Sequence, residues 1–197
     1  MDKPYREELV YTRSEDGIPL EGAVIHPAGG PGRDVAVVWT HGLTGRFYSP
    51  TTINIGRALA GRGFTFVTGN NRGHDFGTVV TPAGGERTII GGGWEMFDQS
   101  PRDVDAWIDF TIRLGFRGVA LLGHSLGARK VAYYQAQRQD PRVLGLIAAS
   151  APMRNVTPDP ALLARAERMV EDGRGRDLLP WDSTPAGAGT MSAQSYV

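Results

Sequence analysis

The 197-residue chain contains no cysteine, which excludes a disulfide framework, a thiolate zinc site and a thiol nucleophile. It has no net charge, because 21 lysines and arginines balance 21 aspartates and glutamates, so no nucleic-acid partner is indicated. No apolar run approaches the roughly 20 residues that span a bilayer, and the polar N-terminal segment lacks the apolar centre of a signal peptide. We therefore expect a cytoplasmic protein with neither a nucleic-acid nor a membrane partner.

What the chain does contain is a regular alternation of strand and helix patterns. Continuous apolar runs, amphipathic segments and an Asp-Gly turn predict strands over 8–13, 18–26, 35–40, 64–68, 119–122 and 143–149, and helices over 51–62, 101–114, 126–139 and 161–170. A long loop is predicted over 69–100. This alternation predicts an α/β fold with a mostly parallel sheet, helices on both faces and an antiparallel hairpin at one edge.

The sequence Gly123-His124-Ser125-Leu126-Gly127 fits the G-x-S-x-G pattern of a nucleophile elbow. A predicted strand precedes the serine and a helix follows it, as the motif requires. The flanking glycines would remove side chains that clash at so sharp a turn. Ser125 is therefore the candidate catalytic nucleophile, and the Leu126 amide would point at the developing oxyanion.

A second motif, His41-Gly42-Leu43-Thr44-Gly45, follows the buried run VAVVWT. A serine acyl-transfer site needs a second amide from the loop at this place, and Leu43 is the candidate donor. His41 is expected to bind backbone groups and shape the loop. The side chain of His124 should point away from Ser125, because side chains alternate along a strand.

A third motif, NRGHDFG at 71–77, follows the next strand, and in this order the three motifs resemble the α/β-hydrolases. The chain looks closest to bacterial serine aminopeptidase- and esterase-like members, over roughly residues 8–152. The resemblance implies an acyl-enzyme on Ser125, oxyanion amides from Leu43 and Leu126, and no metal or organic cofactor. It divides the chain into a hydrolase core over 1–152 and the start of a cap over 153–197. The family's last strands and helices, its triad acid and its triad histidine have no counterpart here.

The four histidines, His26, His41, His74 and His124, all precede Ser125, so the usual general base is missing from the sequence. His74 could substitute if Asp75 or Asp98 orients it. Lys130 is a second conceivable base, although a structural or surface role is favoured because the helix carries it away from the hydroxyl. A partner chain supplying the base is a third alternative.

The sequence thus predicts a serine hydrolase of carboxylic esters, thioesters or small amides, with a small-molecule acyl substrate and doubtful activity as this chain alone. The alternative is a non-catalytic binding protein on the same scaffold. The apolar run over 143–149 has no charge or proline to protect it, so an exposed edge there predicts self-association. Trp94, Met96 and Phe97 could line an acyl pocket or simply pack.

Overall fold

The computed structural model describes residues 4–153, 157–182 and 189–197. Within these ranges a central sheet of six strands has the order β1-β2-β4-β3-β7-β8. Its strands are β1 (Tyr5–Arg13), β2 (Pro19–Pro27), β3 (Val35–Thr40), β4 (Phe66–Gly69), β7 (Gly118–His124) and β8 (Val143–Ala149). The helices are α1 (Pro50–Ala60), α2 (Ser100–Arg113), α3 (Leu126–Arg138), α4 (Pro160–Glu171) and α5 (Ala193–Tyr196).

The sheet is parallel in its centre and antiparallel at its leading edge. Strands β4, β3, β7 and β8 run parallel, whereas β2 pairs antiparallel with both β1 and β4. The hairpin turn between β1 and β2 places Gly17 at φ 81°, a left-handed conformation that favours glycine. The predicted mostly parallel sheet with a leading antiparallel hairpin is therefore confirmed.

The run VAVVWT forms β3 between β4 and β7, and its side chains enter the cores on both faces. Val38 packs in the larger core with residues of α2 and α3, while Val37 and Trp39 pack in the smaller core beside α1. Successive side chains of a strand point to opposite faces, so a strand covered on both sides is apolar throughout. The helices accordingly cover both faces of the sheet, as predicted.

The connection over 69–100 is not the simple loop that the sequence predicts. It contains a short antiparallel hairpin, β5 (Thr78–Val80) with β6 (Thr88–Ile90), and a 3-10 turn at Phe97–Gln99. Three-residue strands are too short to show an alternating pattern, which explains why the prediction missed them. Ser100, the predicted N-cap, is the first residue of α2, and its buried hydroxyl has no partner among the described residues.

Strand β8 lies at the edge of the described sheet. It pairs with β7 on one side, and its side chains Leu144, Leu146 and Ile147 are 47%, 40% and 49% exposed. The predicted strand is confirmed, and the described residues leave much of its apolar surface uncovered.

The segment after β8 carries the predicted helix as α4 and adds the short helix α5. Ala166, Met169, Leu179 and Ala193 form a small core of their own. The indole Nε1 of Trp94 donates to the Arg176 carbonyl at 2.9 Å, and Ser192 N–H donates to the Gly93 carbonyl at 2.6 Å. This unit is therefore attached to the segment that follows β6. No helix in the described part of the chain has the length and apolarity needed to cross a membrane.

Candidate active site

Ser125 occupies the sharp turn between β7 and α3, and its backbone is strained. Its φ of 54° and ψ of −123° are unusual for a residue with a side chain. A Cβ at Gly123 would lie 2.3 Å from the Gly127 carbonyl oxygen, and one at Gly127 would lie 2.2 Å from the Thr40 oxygen. Both positions therefore exclude a side chain, which is the constraint that the motif predicts.

The loop after β3 packs directly on this turn. A Cβ at Gly42 would lie 3.0 Å from Ser125 Cβ and 3.4 Å from the Leu126 nitrogen. The backbone N–H groups of Leu43 and Leu126 have no hydrogen-bond acceptor among the described residues. The fold thus brings the loop after β3 and the start of α3 together near Ser125, and the amides of Leu43 and Leu126 there have no acceptor in the described part of the chain.

His41 holds this loop through both ring nitrogens. Nδ1 donates to the Gly42 carbonyl at 2.8 Å, and Nε2 accepts from the Asn71 N–H at 3.0 Å. Burial, together with the positive charge of Lys130, lowers the pKa of His41 to about 3. The imidazole is therefore neutral at physiological pH and shapes the loop, as its position in the sequence predicts.

The third motif lies against the loop after β3. His74 and Thr44 form an isolated parallel bridge, and the Asp75 N–H donates to the Gly45 carbonyl at 3.2 Å. His74 is buried, with Nδ1 2.9 Å from Asp75 Oδ2. Asp75 is thus the acid beside His74, while Asp98 lies exposed on the 3-10 turn.

All four histidines lie in the described residues, and none forms a hydrogen bond with Ser125 there. His26 lies near Thr65, the residue before β4, with 3.5 Å between the imidazole Nδ1 and the threonine hydroxyl. His124 stacks on Trp39, with ring centroids 5.9 Å apart, consistent with a side chain directed away from Ser125. The Ser125 hydroxyl therefore has no imidazole partner within the described ranges.

Of the structural or surface role that the sequence favours for Lys130, the contacts fit the structural one, because the residue is not at the surface. Its side chain is completely buried, and its ammonium pairs with the carboxylate of Glu95 and donates to Asn71 Oδ1 at 3.1 Å. The Glu95 carboxylate occupies space beside Gly73, where a Cβ would lie 2.1 Å from Oε2. Neither Glu95 nor Asn71 is predicted as a site residue from the sequence. The local signal of this arrangement is Gly73 in NRG, which leaves room for the Glu95 carboxylate.

A second buried ion pair holds the same segment. Arg72 donates through its backbone N–H to Asp103 Oδ2 at 2.8 Å and through NH2 to Oδ1 at 2.9 Å. Its NH1 also pairs with Asp16 at 3.0 Å, in the turn between β1 and β2. Although burial raises the pKa of Asp16, its hydrogen bonds from Arg72 and neighbouring groups outweigh burial and lower that pKa below its usual range. Arg72 therefore ties the third motif to α2 and to the first hairpin.

The aromatic residues of the long connection pack against neighbours. Trp94 contacts Phe76 edge to face with centroids 5.5 Å apart, and Phe97 contacts Tyr133 at 5.2 Å. Met96 is half-buried beside them. The ring contacts of Trp94 and Phe97 are thus packing contacts, and Trp94 also donates its hydrogen bond to the Arg176 carbonyl.

A family profile described as the alpha/beta hydrolase fold matches residues 35–183. None of the curated proteins matches the chain.

Several solved structures share the fold. The structural alignment with the alpha/beta hydrolase GrgF from Penicillium sp. sh18 covers 97% of this chain and 71% of GrgF, at 16% sequence identity and a TM-score of 0.71. The alignment with a hypothetical protein from Pseudomonas aeruginosa covers 98% of this chain and 70% of that protein, at 14% sequence identity and a TM-score of 0.67. The alignment with Est1E from Butyrivibrio proteoclasticus, solved with ferulic acid bound, covers 95% of this chain and 68% of Est1E, at 17% sequence identity and a TM-score of 0.65. The chain therefore spans about 70% of these relatives.

Proposed function

Because the chain belongs to the α/β-hydrolase family, we propose that it is a serine hydrolase of carboxylic esters, thioesters or small amides, with Ser125 as the nucleophile. The observation that carries this proposal is the strained backbone of Ser125, close to Leu43 and Leu126 amides that have no acceptor among the described residues. Backbone strain of this kind persists where the surrounding structure enforces it, and it is concentrated at functional sites.

In the proposed reaction, Ser125 Oγ attacks the substrate carbonyl and the C=O oxygen becomes an oxyanion. The N–H groups of Leu43 and Leu126 donate to that oxygen as its charge develops. Collapse of the tetrahedral intermediate breaks the bond to the alcohol, thiol or amine, which leaves with a proton. Water then attacks the acyl-enzyme ester and releases the acid, and Ser125 regains its proton.

The proposed reaction needs a base that accepts the serine proton, and the described residues give Ser125 no imidazole partner. A hydroxyl is a weak nucleophile at neutral pH without such a base. Sites that lose a triad member keep about 10³–10⁴-fold catalysis over water through the oxyanion hole and binding. We therefore propose that this chain alone reacts with activated acyl and phosphonyl reagents but turns over ordinary esters slowly.

We also propose that residues 1–152 form the catalytic core and that residues 153–197 belong to a cap. Two hydrogen bonds support this division: Ser192, the N-cap of α5, donates to Gly93, and Trp94 donates to Arg176 between α4 and α5. The segment from 91 to 93 also reaches the loop after β3. A Cβ at Gly92 would lie 2.6 Å from Thr44 Cγ2. The cap would then be anchored one contact away from the loop after β3, which carries Leu43.

A fluorophosphonate probe tests the nucleophile. The wild-type chain should be labelled covalently, Ser125→Ala should not, and peptide mapping should place the adduct on Ser125. Added imidazole should accelerate labelling of the wild type, since it supplies the missing base in solution. Equal labelling of the wild type and Ser125→Ala would refute the assignment.

The second candidate function is that of a non-catalytic binding protein, which is favoured because no histidine among the described residues forms a hydrogen bond with Ser125. A binding protein of this kind should show no labelling of Ser125 with or without imidazole, although it is folded and unfolds cooperatively. Labelling that depends on both Ser125 and imidazole therefore separates the two candidates.

A further inference from the structure

A buried ion pair lies at the start of a continuous chain of hydrogen bonds. Lys130 is fully buried on α3, and the Glu95 side chain that pairs with it is 5% exposed. The Lys130 ammonium also donates to Asn71 Oδ1, which accepts a second hydrogen bond from the Gly73 N–H at 3.0 Å. The carboxamide of Asn71 is therefore held in one orientation by donors from two different segments.

The chain of hydrogen bonds continues from Asn71 to the loop after β3. The Asn71 N–H donates to His41 Nε2, and its Nδ2 donates to the His41 carbonyl at 3.5 Å. His41 Nδ1 then donates to the Gly42 carbonyl, and Gly42 is the residue that packs against Ser125. The series thus ends one residue before the proposed oxyanion donor, Leu43.

We propose that Glu95 and Lys130 are positioning residues, which hold the oxyanion loop, residues 41–45, against Ser125 through Asn71 and His41. The inference rests on the proposed function of this site. Groups that orient the residues around a reacting centre fix its geometry, and a displacement of about 1 Å at such a centre can cost ~10²-fold in rate.

Stability alone does not account for this pair. Desolvation of two charges offsets much of their attraction, and well-packed apolar residues often replace a buried ion pair without loss. An apolar pair could fill the volume of Lys130 and Glu95, but it could not donate to Asn71 Oδ1. The empty Cβ position at Gly73 also shows that the chain leaves space for the Glu95 carboxylate.

The test uses the double variant Lys130→Met/Glu95→Gln, which removes both charges and leaves no unpaired ion. Amide deuterium exchange is followed at Gly45, whose N–H donates to the Gly42 carbonyl at 3.1 Å, and at Asn71. Fluorophosphonate labelling of Ser125 is followed over a range of probe concentrations. The matched control is Arg142→Met, which breaks ion pairs to Asp105, Asp109 and Asp140 at the other end of α3.

In the double variant we expect exchange at Gly45 and Asn71 to be at least ~10-fold faster, while exchange in the β1–β2 hairpin is unchanged. The maximal labelling rate per folded molecule should fall by ~10²-fold, with the half-saturating probe concentration unchanged. The control should show neither local change. Should the double variant not fold, Lys130→Gln/Glu95→Gln carries the same test, because it also leaves no unpaired ion, with several-fold faster exchange expected.

Wild-type exchange and labelling in the folded variant would overturn the proposal and leave the pair a structural one. Failure of the proposed function gives a different result. In that case wild-type protein and Ser125→Ala behave alike towards the probe, and the exchange at Gly45 and Asn71 still decides whether Lys130 and Glu95 position the loop.

Discussion

Replacement of Gly127 by alanine should separate the contact between elbow and oxyanion loop from the general stability of α3. The new Cβ would lie 2.2 Å from the Thr40 oxygen and 2.6 Å from the His41 oxygen, whereas ordinary contacts begin at 3.4 Å. The helix and the end of β3 must therefore separate by roughly 1 Å, and such overpacking costs about 1–3 kcal/mol. Alanine gains about 1 kcal/mol over glycine inside a helix, so the net loss should be at most about 2 kcal/mol.

The functional effect of the same change should exceed its effect on stability. A separation of roughly 1 Å displaces Leu43 from Leu126, and misplacement of this size can cost ~10²-fold in rate. The assay is the fluorophosphonate labelling rate per folded molecule, with the folded fraction taken from urea unfolding. Gly145→Ala is the matched control, because its Cβ would meet only Ala120 Cβ at 3.8 Å. If Gly127→Ala is labelled as fast as Gly145→Ala, the proposed arrangement of the two amides is wrong.

Three further changes test two buried carboxylates and the edge of the sheet. Asp103→Leu leaves Arg72 buried without that partner and should lower the free energy of unfolding by about 3–5 kcal/mol in urea titrations; loss of less than about 1 kcal/mol would contradict it. Although burial raises the pKa of Asp140, hydrogen bonds from Arg142 and other groups outweigh it and hold that pKa at about 2. Its stabilisation should therefore be complete above the ordinary value of 3.8 and fall towards pH 2, and Asp140→Asn should flatten this acid limb in thermal unfolding. Ile147→Lys should weaken self-association through β8, measured by sedimentation at several concentrations; unchanged association would exclude that edge.

The sequence predicts the sharp turn at Ser125 and the close approach of the loop after β3, because close backbone approach demands glycine at fixed positions. Gly42, Gly123 and Gly127 lie where added side chains would meet neighbouring atoms, and these three positions define two of the motifs. The parallel arrangement of β3 and β7 was likewise predictable from apolar runs separated by helices. Local steric demands therefore leave a readable trace in a single sequence.

The ionic supports of the site were not predictable in the same way. Lys130 faces a carboxylate 35 positions earlier, and Arg72 meets one 31 positions later. Helix periodicity shows which face carries a charge, but it does not show whether a distant loop will bring an opposite charge to that face. The order of the four histidines predicts that the usual downstream base is missing, but it left His74 open as a substitute, and among the described residues His74 forms no hydrogen bond with Ser125.

The position of β3 in the sheet has a consequence for how the chain folds. One edge of β3 pairs with β4 and the other with β7. In the pairing with β7, Val38 lies opposite Leu121, which is about 80 residues later in the sequence. Non-local parallel pairing of this kind forms slowly. During synthesis from the N-terminus, the apolar VAVVWT strand remains unpaired along one edge until β7 has been synthesised. Slow pairing of this kind exposes the strand to aggregation, so lower temperature or chaperone supply during expression should raise the folded yield.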